Sequence, residues 1–427
     1  MCLETHGCKL NQADTQVLAR EFVEAGYVLT SQDEPADVYV LNTCTVTHVA
    51  DRKARQAARA AKRRNPNATV VATGCYAERA PGDLRTMREV DFVVGNADKE
   101  SLVAMLEDAS QGPDTACAIG DDSALQPLLR LRSRAMIKIQ EGCDQVCAYC
   151  IVPKVRGRER SVPLRQIVES ANSYGEAGCQ EVVLTGTQLG SYGFDLPGVD
   201  LTLLVQSLLK ETDIPRIRIS SLQPQDISDE FLNLWTDTRL CPHFHVPLQS
   251  GSDAALKRMR RQYHAAEFLE TVGRIRDAVP DVAITADVIV GFPGESDSDF
   301  QNTLATCVES ELASVHFFPY SVRPGTSAAY LEGQIDPRVK AERISELAVV
   351  AADLSMQFRS SFLRQSRAVL WERPTNGGRR GHRVWSGLTD NYIRVRTTNE
   401  ADLSNRIMQS KLTALDGDWM TAEVNPL

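Results

Sequence analysis

Apolar and polar positions follow two different periods along the first hundred residues. Short apolar runs at residues 37–41, 68–72 and 91–94 are typical of buried strands, and helical patterns at 11–25 and 46–64 separate them. Alternation of strands and helices favours parallel pairing, with the helices packed on the sheet. The pattern therefore predicts an N-terminal parallel-sheet α/β domain.

A longer alternation of the same kind begins near residue 135. It contains six strand–helix units, fewer than the eight of a closed (β/α)8 barrel. We therefore predict a central partial (β/α)6 barrel, completed by a helix at 337–363. The predicted strands are 136–140, 181–184, 216–219, 243–246, 283–290 and 314–319, and the predicted helices are 164–177, 201–210, 265–278 and 298–309.

The last sixty residues change character. Short strand patterns at 368–371, 384–385, 392–396 and 421–424 are separated by turn residues, which predicts a small antiparallel β-barrel of the oligonucleotide-binding type. The loose stretch 108–127 is the predicted linker between the first two domains. The predicted domains are residues 1–120, 128–365 and 366–427.

Membrane and secretion signals are absent from the pattern. No run of about 18 apolar residues occurs, and the first residues are too polar for a signal peptide. We therefore expect a cytoplasmic protein, in which the eleven cysteines stay reduced and can act as metal ligands.

Charge gives a mixed indication about nucleic acid. The formal net charge of −9 opposes binding of a polyanion. Basic clusters at 51–64, 154–160 and 257–261 keep RNA binding open, although a solvated helix face is the alternative for any one of them.

Three cysteines stand close together just after the first strand of the central domain. Cys143, Cys147 and Cys150 form a C-x3-C-x2-C pattern, and three thiolates at this spacing suit an iron–sulfur cluster. Zinc would normally take four ligands. A four-iron cluster held by three cysteines leaves one iron open to a small chelating molecule.

A second trio is dispersed along the N-terminal domain. Cys8, Cys44 and Cys75 each come just after a predicted strand, and the carboxyl ends of parallel strands meet at one edge. We expect a second three-cysteine cluster there, with ordinary buried thiols as the alternative. The five remaining cysteines are interpreted as structural thiols: Cys2, Cys117, Cys179, Cys241 and Cys307.

The central motif resembles that of the radical S-adenosylmethionine (AdoMet) superfamily, and the chain as a whole resembles the methylthiotransferase family. That resemblance implies an N-terminal domain with an auxiliary cluster, a radical AdoMet partial barrel and a C-terminal TRAM-like barrel. The segments that carry it are 7–12, 42–44, 74–76, 142–161, 247–252, 287–295, 318–321 and 323–326.

Segments 184–193, 218–222 and 389–396 are most similar to the family branch that acts on N6-threonylcarbamoyladenosine beside the tRNA anticodon. Modification of isopentenyladenosine in tRNA, or of a ribosomal-protein aspartate, are the alternatives within the family. A non-catalytic iron–sulfur protein for RNA binding or electron transfer is the alternative of another class.

The resemblance implies two [4Fe–4S] clusters and two uses of AdoMet, one as methyl donor and one as radical source. It implies a tRNA substrate together with an electron donor and a sulfur source, both unidentified. The implied AdoMet contacts are Tyr149, Gly186, Ser220, Ser221 and Gln249. The implied RNA contacts are Tyr392, Arg394 and Arg396, and Trp385 is either a stacking platform or a core residue.

Overall fold

The computed structural model describes residues 1–109, 133–375 and 383–425. The predicted linker falls almost wholly outside these residues, as does Cys117, so the predicted domain limits stay predictions. Among the described residues, no helix combines the length and the apolar character needed to cross a membrane.

The N-terminal domain is a four-stranded parallel sheet in the order β1-β2-β3-β4. Its two central strands are buried along nearly their whole length because helices cover both faces. The strands are β1 (Cys2–Thr5), β2 (Val38–Thr43), β3 (Thr69–Gly74) and β4 (Phe92–Val93), and the helices are α1 (Lys9–Glu24), α2 (His48–Arg64), α3 (Cys75–Arg79), α4 (Pro81–Arg85) and α5 (Leu102–Ala109).

Helix α2 shows why this part of the sequence folds as it does. Its alanines at positions 54, 57, 58 and 61 form a narrow apolar stripe that packs on the sheet. The Thr47 side chain accepts a hydrogen bond from the Ala50 N–H (3.2 Å) and caps the N-terminus. Lys62, Arg63 and Arg64 lie in the last turn, where cations are favoured.

The central domain is a curved sheet of six parallel strands that remains open on one side. Two three-stranded sheets, β5-β8-β9 and β10-β11-β12, are connected by parallel bridges from Ile217 to Leu240 and from Ser221 to His245. The predicted partial barrel is confirmed. Its strands are β5 (Arg134–Lys138), β8 (Glu181–Thr185), β9 (Arg216–Ile219), β10 (His243–His245), β11 (Ala283–Val290) and β12 (Ser314–Pro319), with the short pair β6 (Gln140–Glu141) and β7 (Arg160–Ser161) beside them.

The helices of the central domain cover the outer, convex face of this sheet, and α1 of the N-terminal domain packs on the inner side at β5 and β8. Most apolar residues of the strands point outward into the main core, so alternate residues point to the inner, concave face. That concave face carries many polar side chains. The helices are α6 (Val152–Arg156), α7 (Leu164–Glu176), α8 (Leu201–Glu211), α9 (Asp229–Leu232), α10 (Asp253–Met259), α11 (Ala265–Ala278), α12 (Asp297–Glu309) and α13 (Pro337–Ser360).

The C-terminal domain is a closed five-stranded barrel in the order β13-β14-β15-β17-β16. Trp371 and Trp385 are fully buried in its core, so Trp385 packs as a core residue. The sequence missed β16, whose side chains are mostly polar and half exposed. The strands are β13 (Ser366–Thr375), β14 (Arg383–Thr389), β15 (Arg394–Asn399), β16 (Arg406–Asp416) and β17 (Trp419–Val424).

Candidate active site

The dispersed cysteine trio gathers at the carboxyl edge of the N-terminal sheet. Cys8 precedes α1, Cys44 follows β2, and Cys75 follows β3. Burial raises the pKa of the Cys44 thiol to about 12, with smaller contributions from the neighbouring Cys8 and Cys75 sulfurs. Cys8 is exposed whereas the other two are buried, so the trio has one open side.

Two glycines allow the loops that carry the dispersed trio to lie close together. Gly7 has φ +92°, and a Cβ atom there would lie 2.5 Å from the Cβ of Cys44 and 2.7 Å from its Sγ. Gly74 has φ +90°, and a Cβ there would lie 2.5 Å from the Thr43 carbonyl oxygen. Any other residue would be strained at both positions and would push the loops apart.

The compact trio lies on the loop between β6 and α6. The Cys150 N–H donates to the Cys147 carbonyl (3.1 Å), and Arg261 Nη1 donates to Cys147 Sγ (3.4 Å). Burial raises the pKa of Cys150 to about 12 and that of Cys143 to about 11. Such thiols become thiolates when a metal binds and displaces their protons.

The dispersed trio lies against the short helix α6, which follows the compact trio. Cys75 packs against Ile151 and Val155, the first of which directly follows Cys150. The guanidinium of Arg156, the last residue of α6, partly offsets the burial that raises the pKa of the Cys75 thiol. The dispersed trio therefore contacts the segment that continues from the compact one.

A buried ion network holds this contact. Arg156 donates to Glu141 Oε1 (2.6 Å) and to Asp14 Oδ2 (3.1 Å), and Asp14 also pairs with Lys99 (2.9 Å) and Lys138 (3.0 Å). Burial alone would raise the pKa of Asp14, but its three cationic partners hold it well below the usual range. Sequence analysis did not indicate these pairings, of which Arg156–Asp14 and Lys138–Asp14 join residues more than a hundred positions apart.

A second ionic bridge connects the dispersed trio with the segment after β12. Arg323 Nη1 donates to Asp51 Oδ2 (2.7 Å) and to the Thr45 carbonyl (3.3 Å), and Arg79 pairs with the same Asp51 oxygen (3.0 Å). Thr45 directly follows Cys44. The two networks therefore connect the region of the dispersed trio to the central domain at two places.

The residues expected to contact AdoMet lie around this edge. Tyr149 is partly buried and packs edge-to-face on Phe292, with ring centroids 6.4 Å apart. Gly186 directly follows β8 and lies close to Gln140. A Cβ atom at position 186 would lie 2.9 Å from the Gln140 carbonyl oxygen. The neighbouring Thr187 Oγ1 is buried and has no hydrogen-bond partner in the described part of the chain.

Ser220, Ser221 and Gln249 differ in what they offer a ligand. The Ser220 hydroxyl donates to the Leu184 carbonyl (2.7 Å), so its proton is used within the sheet, and Ser221 is exposed. Gln249 adopts φ 62°, and its Oε1 is buried without a partner among residues 1–109, 133–375 and 383–425. Because buried polar atoms are normally paired, the oxygens of Gln249 and Thr187 suit contacts with a polar ligand.

Two family models match separate parts of the chain. An uncharacterized protein family, UPF0004, matches residues 1–95, and the Radical SAM superfamily matches residues 137–307. Among solved structures, the radical S-adenosylmethionine methyltransferase TsrM of Kitasatospora setae superposes with a TM-score of 0.56, covering 88% of this chain and 81% of its own. At 13% identity this likeness concerns the fold alone.

Curated relatives match almost the whole chain. The threonylcarbamoyladenosine tRNA methylthiotransferase MtaB of Bacillus subtilis is 35% identical over 96% of this chain and 93% of its own length. The protein of the same name from Aquifex aeolicus is 40% identical, over 93% of this chain and 96% of its own. A tRNA-2-methylthio-N(6)-dimethylallyladenosine synthase of Alkaliphilus oremlandii is 32% identical, over 97% and 87%.

This chain belongs to the radical SAM methylthiotransferase family. As a radical SAM protein, this methylthiotransferase uses an iron–sulfur cluster and AdoMet. The three closely spaced cysteines, the charge-assisted bond from Arg261 and the unpaired Gln249 oxygen suit those groups at this edge.

The residues expected to contact RNA occupy different environments in this methylthiotransferase. The Tyr392 ring stacks on His243, with centroids 4.2 Å apart, and lies 4.9 Å from the Arg218 guanidinium. This position between the C-terminal barrel and the concave face disfavours base stacking by Tyr392. Arg394 is exposed above Trp419, and Arg396 forms an ion pair with Asp416.

A further polar cluster on the concave face escaped sequence analysis. His245 Nε2 lies 3.2 Å from Asp287 Oδ2, and His316 Nδ1 lies 3.5 Å from Asp287 Oδ1. These residues lie on β10, β11 and β12, and only their position in otherwise apolar strands could have indicated them. Burial opposes ionisation of Asp287, but hydrogen bonds from the two imidazoles lower its pKa well below the usual range.

Proposed function

We propose that this methylthiotransferase adds a methylthio group to carbon 2 of N6-threonylcarbamoyladenosine at position 37 of tRNA. One AdoMet is the methyl donor and a second is the radical source. The MtaB proteins of Bacillus subtilis and Aquifex aeolicus support this substrate, because they align along almost their whole length at 35% and 40% identity.

The observation that carries the proposal is the contact between the dispersed trio and the segment that follows the compact trio. Cys75 of the dispersed trio packs on Ile151 and Val155, directly beyond Cys150. We propose that each trio holds a [4Fe–4S] cluster: Cys8, Cys44 and Cys75 the auxiliary one, and Cys143, Cys147 and Cys150 the one that binds AdoMet. Each cluster then has one iron without a protein ligand.

When bound, these cofactors supply the radical that breaks an unactivated C–H bond and the sulfur that replaces the hydrogen. The chain's own residues orient them. Arg261 donates to Cys147 and so stabilises negative charge on that sulfur. Tyr149 and Gln249 line the AdoMet side. The networks around Asp14 and Asp51 keep the two cysteine loops together and limit entry of water.

The C-terminal barrel is the proposed RNA grip. It is a small closed barrel, a form used for oligonucleotide binding, and its exposed Arg394 suits a phosphate contact. A flexible anticodon loop lets the target base leave its stack at low cost. The electron donor and the sulfur source are separate partners in this scheme, and the place of action is the cytoplasm.

Nucleoside analysis tests the proposal. A bacterial strain lacking its own MtaB is complemented with this chain or with its Cys8→Ala/Cys44→Ala/Cys75→Ala variant, and its tRNA nucleosides are compared by mass spectrometry. We expect the intact chain alone to restore the methylthio form of threonylcarbamoyladenosine. Methylthiolation of isopentenyladenosine or of a ribosomal protein, with threonylcarbamoyladenosine unchanged, would contradict the proposed substrate.

A further inference from the structure

The floor of the central barrel, meaning the part of its concave face around Arg134 and Arg218, carries an excess of positive charge. Arg218 pairs with Glu181 (2.8 and 3.1 Å), and Arg134 pairs with Glu372 (2.9 Å). The Lys9 ammonium reaches the same floor from the N-terminal domain and lies 5.8 Å from the centre of the Tyr392 ring. Lys9 is partly buried, and within the described ranges no carboxylate or hydrogen-bond acceptor partners its charge.

The cluster of His245, Asp287 and His316 is linked to Lys9 through Tyr392. The Tyr392 ring, which lies 5.8 Å from the Lys9 ammonium, stacks on His243 of β10 and lines one cavity together with His316. The His316 ring in turn stacks on His245, with centroids 5.5 Å apart. All of these groups therefore share one region of the concave face. The His316 side chain is 55% exposed, which leaves its second ring nitrogen available to a ligand.

An open cavity gives access to this region. It has a volume of about 460 Å³, and its lining includes Thr285, His316, Tyr392 and Arg394. It extends from the concave face to the C-terminal barrel, where Arg394 is the proposed RNA contact. A substituent on the target base could therefore reach His316 while the RNA backbone remains at the barrel.

We propose that Lys9 and His316 bind the carboxylate of the threonylcarbamoyl substituent, and that Asp287 and His245 position His316. The inference rests on the proposed function, because it concerns recognition of that substrate. A partly buried ammonium without a partner is costly unless an anion pairs with it. An imidazolium donates through both nitrogens, one to Asp287 and the other to the carboxylate. A dimethylallyl substituent has no charge and gains nothing from this site.

The orientation of Asp287 favours a hydrogen-bonded relay over a metal site. A metal held by two histidines and a carboxylate would draw the three ligand atoms to one point. Here the two carboxylate oxygens separate, and each contacts a different imidazole. The other nitrogen of His245 contacts Thr285 Oγ1 (2.9 Å), and this contact fixes the orientation of the His245 ring.

Binding of synthetic RNA tests the proposal. Dye-labelled anticodon stem-loops carry threonylcarbamoyladenosine, its carboxyl methyl ester or plain adenosine, and fluorescence anisotropy measures their affinity for the anaerobically reconstituted full chain. We expect the wild type to bind the free acid at least tenfold more tightly than the ester, the usual size of a charge-assisted contact. Lys9→Met and His316→Phe should reduce this ratio to below about threefold, and Lys9→Arg should restore part of it.

The matched control is Lys210→Met, on the exposed end of α8, which should keep the wild-type ratio. Iron content and AdoMet cleavage establish that each variant is assembled. Equal wild-type affinity for acid and ester, or a uniform loss for all three RNAs that indicates a phosphate contact, would overturn the proposal. So would a stoichiometric third metal lost in His316→Phe. Mass spectrometry of the product decides the proposed function separately, since discrimination between acid and ester does not require turnover.

Discussion

The two cysteine trios are built in opposite ways. Cys143, Cys147 and Cys150 lie within eight consecutive residues, so one loop brings them together. Cys8, Cys44 and Cys75 come from the ends of three strands and meet only because β1, β2 and β3 pair in parallel. The compact trio depends on local chain geometry, whereas the dispersed trio depends on the whole N-terminal fold and on its contact with the central domain.

Removal of either trio has the largest expected effect and separates their roles. Changing Cys143, Cys147 and Cys150 together to Ala should abolish AdoMet cleavage and product formation. Changing Cys8, Cys44 and Cys75 to Ala should reduce iron from about eight to about four per chain and abolish methylthiolation, while reductive cleavage of AdoMet continues. Iron analysis and detection of 5′-deoxyadenosine measure this. Full iron content in the second variant would refute a second cluster.

Loss of the ionic bridge at Asp51 should reduce iron binding by the dispersed trio and leave iron binding by the compact trio unchanged. Asp51→Asn leaves the buried Arg323 and Arg79 without their counter-ion, which costs about 3–5 kcal/mol of unfolding free energy. We expect a lower urea midpoint and loss of iron down to the amount that the compact trio retains. Asp253→Asn is the control, because its pair with His264 is exposed and should change stability by less than about 0.5 kcal/mol. Equal stability of the two variants would show that the bridge is dispensable.

The loop of the compact trio is connected to a different carboxyl group, that of Asp226. Asp226 accepts from Gln188 Nε2 (3.0 Å) and from the Gln223 N–H (3.2 Å), and Gln223 contacts Gln145 in the cysteine loop. Burial raises the pKa of Asp226 to about 6. From pH 4 to pH 6 the folded chain therefore retains a proton that the unfolded chain releases, so stability should fall as pH rises.

Between pH 4 and pH 6 we expect the free energy of unfolding to fall by about 1–2 kcal/mol, after allowance for solvent around Asp226. Asp226→Asn should remove this pH-dependent loss of stability. The measurement is the difference in thermal unfolding midpoint between wild type and variant, taken at pH 4.5 and again at pH 6.5. Since the three cationic partners of Asp14 hold its pKa below this window, Asp14→Asn should shift the midpoint equally at both pH values. A pH-independent difference for Asp226→Asn would contradict this assignment.

Sequence analysis predicted most of the architecture because apolar runs mark the central strands. It missed β16, where polar residues such as Gln409, Lys411 and Thr413 hide the strand pattern. It also placed Tyr392 within a strand, whereas that residue adopts φ 70° and turns toward the central barrel. A left-handed backbone at a non-glycine residue leaves no clear trace in the sequence.

The cysteine positions could be predicted because strand ends in a parallel sheet share an edge. The surrounding chemistry could not. Arg156, Arg323 and Lys9 reach partners or neighbours in other domains, and sequence spacing contains no information about such contacts. The same holds for His245, Asp287 and His316, which lie on three strands and meet only once the half-barrel is formed.

Iron location tests the central claim most directly. Crystals of the anaerobically reconstituted protein, with diffraction recorded at the iron absorption edge, would show where iron binds. The account predicts two peaks, one bound by Cys8, Cys44 and Cys75 and the other by Cys143, Cys147 and Cys150, both facing the space beside Ile151 and Gln249. A single peak, or two peaks separated by packed protein with no connecting space, would contradict it.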